Sequence, residues 1–209
     1  MKTITTLLAL AVMGLAHGQT IPKETEPAAR QGLAAFKKIA QANYRTLGLE
    51  SAREADSATL AEPMAVAMVG LDGLRNYEPP ASADALVKPL EKVVFPVTTR
   101  GQVRALITVE KAKGEWRSTS HGSSRLAGML AKTRSEVATA TKTPAAEFFM
   151  VDVPALNAIF VAHRQEQRLM LTPIRDDAHL KLTAGKTAPA SEVLGSLVPA
   201  AKEHNGLPR

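Results

Sequence analysis

The sequence predicts an α+β fold, with a bent antiparallel sheet packed by two long amphipathic helices. Three observations support that expectation. In 103–109, Val103, Ala105, Ile107 and Val109 alternate with polar residues such as Arg104 and Thr108, the two-residue period of a strand. In 26–46 and again in 123–140, apolar residues recur at three- and four-residue steps, the stripe of a helix lying on a sheet. From 147 to 174, three short apolar runs follow one another with turn residues between them.

The chain has 209 residues and opens MKTITTLLALAVMGLAHGQT. Lys2 precedes an apolar run from Ile4 to Ala16, and Ala16-His17-Gly18 places small residues where a signal peptidase inspects them. Residues 1–18 therefore read as a secretory signal peptide cleaved after Gly18. The run is too short to anchor in ~30 Å of hydrocarbon, so no transmembrane segment is expected once the signal is removed. The 191 residues from Gln19 to Arg209 suit a single α+β domain, 19–209, with 26–121 and 122–203 as candidate sub-halves. They contain no Cys, so an exported body must cohere by packing alone. A bacterial periplasmic or secreted location is the simplest fit.

The elements follow in order. Thr25 is a candidate N-cap with Pro27 in the first turn, and Ala29, Leu33, Phe36, Ala40, Tyr44 and Leu47 form one stripe that Gly48 ends. Ser51 and Glu54 make a capping-box pattern for a short helix to Leu60. Met64 to Leu71 is a continuous apolar run, a buried strand. Residues 83–90 read as a helix of two turns. Glu91 to Thr99 is a strand with Val93, Phe95 and Val97 on one face, and Pro96, lacking a ladder donor, predicts an edge or a bulge.

The alternating strand at 103–109 is expected to have one face in the core and one in water, with Gly101 and Gly114 in its two hairpin turns. Glu115 to His121 reads as an edge strand, thin in apolar residues, with Trp116, Ser118 and Ser120 inward and Arg117 and His121 outward. Gly122-Ser123-Ser124 opens the second long helix, whose stripe is Leu126, Met129, Leu130, Thr133 and Val137, and Thr143-Pro144 breaks the chain after it. The runs 147–153, 155–164 and 168–174 are apolar on both sides, as strands covered on both faces are. A strand fragment is expected near 180–182, then a helix from Ala188 with Pro189 in its first turn and Pro199 bending or ending it.

Twice, a long helix precedes a three-strand meander: 26–46 before 92–121, and 123–140 before 147–174. That order resembles a tandem α-β-β-β arrangement, in the manner of cystatin-like rolls and PepSY-type periplasmic modules. The resemblance speaks to fold and carries no activity with it.

Composition excludes several classes. The formal charge is +6, yet no block of five like charges exists, and one Trp, two Tyr and five Phe are too few to stack bases. Nucleic acid is therefore not an expected partner. No Walker loop and no G-x-G-x-x-G occur, so no nucleotide cofactor is expected. The absence of Cys excludes thiolate zinc sites and thiol nucleophiles. His121, His163, His179 and His204 have no H-x3-H or HExxH spacing, so no metal site is expected either.

One segment invites a chemical reading. In 121-HGSSR-125, helix-start amides and Arg125 can cradle an anion, while the plainer reading makes Ser123 the N-cap and leaves Arg125 in solvent; the plainer reading is favoured. Asp152, inside an apolar strand, needs a partner. No catalytic residue and no cofactor is assigned. The candidate binding residues are Trp116, Arg117, His121, Ser123 and Arg125. The expected function is an exported, non-enzymatic interaction or accessory module that meets another protein through an edge strand or an exposed face. Two alternatives stand beside it: a hydrolase with a dispersed site drawn from His121, Ser123, Asp152 or His163, and a carrier of an apolar ligand between sheet and helices.

Overall fold

The computed structural model describes residues 20–206 except Thr46, Gly48 and Pro80. The signal peptide and the helix-ending role of Gly48 lie outside the described residues. The chain runs α1 (Thr25–Asn43), α2 (Ala52–Asp56), β1 (Thr59–Leu60), β2 (Met64–Val69), α3 (Leu71–Arg75), β3 (Val87–Thr99), β4 (Gln102–Ala112), β5 (Glu115–Gly122), α4 (Ser124–Thr141), β6 (Phe149–Val153), β7 (Ala158–Gln165), β8 (Arg168–Pro173), β9 (Ala188–Pro189) and α5 (Ala190–Glu203). No helix among the described residues is long and apolar enough to cross a membrane.

The fold is α+β. Its nine strands form one sheet in the order β5-β4-β3-β2-β6-β7-β8-β9, with β1 paired to β3 beside β2. The expectation of a wholly antiparallel sheet fails at the centre, where β2 and β6 run parallel with Val66 beside Met150 and Met68 beside Asp152. From that seam two antiparallel meanders run outward, β2 to β5 and β6 to β9. Among the described residues five α-helices accompany the sheet, of which α3 lies where a strand end is expected.

Three apolar clusters build the core. On one face Phe36 and Ala40 of α1 pack with Phe95, Ile107 and Val109. On the same face, since Ala65 pairs with Val93, Leu74 of α3 and Leu194 and Leu197 of α5 pack with Val151, Phe160 and Leu171. The opposite face belongs to α4, whose Ala127, Leu130 and Val137 meet Val94, Leu106, Met150 and Val161. The second face of β4, expected to be wet, is covered at Leu106, 2% exposed, while Thr108 and Glu110 farther along it are half-buried.

Two β-bulges redirect side chains. Val97 pairs with Ala105 and Thr98 with Val103, so Arg104 has no partner in the ladder. Val103 consequently packs with the α4 cluster, and Arg104 reaches Glu54 of α2, 3.3 Å away. Likewise Thr108 pairs with Ser120 and Val109 with Ser118, leaving Thr119 unpaired on β5.

Other expectations change for local reasons. Residues 83–90 make one 3-10 turn, Ala83–Ala85, and then enter β3, because Val87, Lys88 and Pro89 pair with Val69, Met68 and Ala67. Pro96 lies in neither an edge strand nor a bulge. It sits where the partner of β3 changes from β1 (Leu60 beside Val97) to β2 (Met64 beside Val94), so no ladder donor is needed there, while its carbonyl accepts from Ala61 N at 2.8 Å. Helix α2 stops at Asp56, short of Leu60. Thr25 is the first helical residue, and its Oγ1 donates to Pro22 O at 2.6 Å; the cap position is Glu24. The fragment expected at 180–182 reduces to one bridge, Asp177 with Leu182, and Pro199 lies inside α5 without ending it.

Candidate functional site

Strand β5 closes one side of the sheet, and among the described residues no strand pairs with its outer edge. The sequence produces the strand by a tight turn, with Lys113 and Gly114 both at positive φ (53° and 85°), followed by residues that are mostly polar. Such a strand is held from one flank and one face only.

The covered face is α1, which runs alongside β5. Gly32 makes the approach possible: a Cβ there would lie 2.5 Å from Ser118 Oγ and 2.6 Å from Ile107 Cγ2. His121 Nε2 donates to Gly32 O at 3.0 Å, and its ring lies 6.3 Å from that of Phe36. His121 therefore faces α1 and not solvent. The bulge at Thr119 resets the alternation, and for the same reason Ser120, paired with Thr108, leaves the inner side. Trp116, beside Lys111, is half-buried against the α1 cluster. Arg117 is exposed as expected and pairs with Glu115 at 2.7 Å.

The segment 121–125 does not converge on one site. Ser123 is the N-cap of α4, its Oγ accepting from Leu126 N at 3.2 Å. Arg125 is exposed and lines a shallow depression of about 610 Å³ with Met129, Ile174, Arg175, Asp176 and Asp177. Both aspartates hold turns: Asp176 Oδ1 accepts from Ala184 N at 2.9 Å and Asp177 Oδ1 from Leu180 N at 3.0 Å.

The residues of the dispersed-hydrolase alternative occupy separate environments. His163 is fully buried beside the Phe148 ring, 5.1 Å between centroids, and neither ring nitrogen has a hydrogen-bond partner among the described residues. Burial lowers its pKa, with Glu147 opposing. Asp152 is half-buried, and burial raises its pKa against the pull of Lys92. No hydrogen bond joins His121, Ser123, Asp152 and His163 among the described residues. Nor does any group of three metal-ligating side chains occur among them.

Sequence reasoning missed two features. One is the carboxylate of Glu54, fully covered, which accepts from Thr99 Oγ1 at 2.5 Å and Glu50 N at 2.7 Å and pairs with Arg104. The hydroxyl of Thr99 and the amide of Glu50 hold its pKa below the usual range although burial pushes upward. The capping-box spelling pointed to Glu54, but not to Arg104. The other is a groove of about 570 Å³ at the turn end of the ribbon, walled by Trp116, Glu115, Lys111, Glu91, Gln31 and Glu24. It brings together a strand end and a helix start that are far apart in the chain.

Comparison of the chain with protein-family models, with curated proteins and with solved structures finds no match.

Proposed function

We propose that the chain is an exported, non-enzymatic interaction module that receives an extended segment of another protein along β5. The observation that supports this reading is the unpaired outer edge of β5, backed closely by α1. Main-chain pairing along such an edge supplies affinity, and the helix flank beside it reads alternate side chains. Gln31, Ala35 and Ile39 form a row at four-residue steps on α1 that starts at the groove beside Trp116. All three are exposed, and Ile39, at 45%, is the one exposed large hydrophobic among the described residues. The bulge at Thr119 interrupts regular pairing, which concentrates the docking on 115–118.

Export is the part of this reading that rests on residues 1–18, and it places the protein in the periplasm or outside the cell. We further read the two meanders as tandem units of the cystatin-like or PepSY-like kind, their sheet bent about α4, since each half sets a long helix ahead of its strands.

Site-specific photo-cross-linking in cells tests the reading. A benzophenone side chain at Thr119, exposed on β5, is expected to give a discrete adduct, and one at Lys202, exposed on α5, none. Adducts from Lys202 alone would remove the edge from consideration. Amino-terminal sequencing of the exported protein is expected to begin at Gln19.

A further inference from the structure

We infer that the segment received by β5 carries a cationic side chain, arginine or lysine, seated in the groove at Trp116; this deepens, and rests on, the edge-pairing reading above. The chain as a whole is basic, at +6, yet this groove is lined by Glu24, Glu91 and Glu115 against one cation, Lys111. That one cation is already engaged, its Nζ 2.7 Å from Glu91 Oε1. Glu115 is paired outward with Arg117, and Glu24 has no hydrogen-bond or ion-pair partner among the described residues. With Glu91 and Glu115 each matched by a cation, the groove keeps one uncompensated carboxylate, Glu24, beside an aromatic ring.

The indole of Trp116 is the best side chain for attracting a cation to its face, and Arg and Lys bring an aliphatic stem that covers apolar surface while the charged head stays near water. Pro22 and Pro27 offer the apolar floor for that stem. Among the described residues the cation placed over an aromatic ring is Arg45 on Tyr44, so no internal cation takes the Trp116 face. The geometry of pairing supplies the delivery. A strand laid against β5 runs about 4.8 Å from it, and its residue opposite Trp116 points to the same face of the sheet. A long side chain from that position reaches the groove, and an acidic one meets Glu24.

The sole Trp of the chain gives a clean readout. Three acetylated and amidated hexapeptides, Thr-Val-X-Val-Thr-Val with X as Arg, Gln or Glu, are titrated into the purified chain. Trp116 fluorescence and amide exchange over 115–118 are followed together. The Arg peptide is expected to bind about tenfold more tightly than the Gln peptide, with the Glu peptide weaker still. The variant Glu24→Gln, changed at an exposed position, is expected to erase most of that difference between the Arg and Gln peptides. Equal binding of all three, with equal protection of 115–118, overturns the cationic preference and leaves edge pairing intact. A fluorescence change without protection of 115–118 overturns edge pairing, and the inference with it. Failure of all three peptides at millimolar concentration overturns the inference, while edge pairing is then judged separately by the cross-linking at Thr119.

Discussion

His163 is an imidazole in an apolar setting with both nitrogens unpartnered, and the sign of its effect on stability is fixed by that burial. Its pKa in the folded chain lies below the ordinary 6.5, so the unfolded chain takes up the proton first. Stability is complete above 6.5 and falls as pH drops through it. The expected outcome is a Tm that declines as pH falls below the ordinary histidine value of 6.5, and a His163→Leu variant in which most of that decline is absent. An unchanged pH slope in the variant would assign the effect elsewhere. Glu54 acts in the opposite sense. Its lowered pKa contributes stability above the ordinary glutamate value of 4.5 that is lost as pH falls below it. Replacing Glu54 by Ala strands Arg104, whose Nε already lacks a partner, and is expected to lower Tm by several degrees in a thermal scan at neutral pH. Ser123 was legible as a cap because that position needs only its near neighbours. The partner of Glu54 was not, since a bulge fifty residues away decides where Arg104 points.

Whole elements were legible wherever one face alone is buried. The stripes of α1 and α4 met the core largely as their periodicity predicts, with Phe36, Ala40, Leu130 and Val137 inside. Faces of strands were harder to read. A single extra residue in β4 and another in β5 reverse the sense of every later side chain, and neither Arg104 nor Thr119 is spelled differently from an ordinary strand residue. The stretch 83–90 reads as helix by local preference, yet Val87 to Pro89 find partners on β2, and tertiary pairing prevails over propensity. The closeness of α1 to its strands is itself a test. Gly32→Ala inserts a methyl 2.5 Å from Ser118 Oγ and 2.6 Å from Ile107 Cγ2, and either those side chains or the helix must shift to admit it. A loss of about 1–3 kcal/mol is expected in denaturant unfolding, with faster amide exchange across β5. A neutral result would mean that the helix is free to slide.

On the scale of the molecule, the sheet is continuous through both candidate sub-halves, and its seam is the parallel pair β2–β6. Apolar runs such as MAVAMV are equally suited to either neighbour and either direction, so the seam could not be read from the sequence. Helix α4 belongs to the second half yet covers Val94 and Leu106 of the first. A fragment of 26–121 is therefore expected to bind a hydrophobic dye and to melt without cooperativity, whereas a sharp transition would show that the half stands alone. The seam also sets an order of events. Val66 waits for Met150, 84 positions later, before its side of the sheet is complete. A nascent chain threaded amino end first thus carries a bare, uncharged ribbon until Phe149–Val153 follow, and any stalled product ending short of them keeps that ribbon permanently open to self-association.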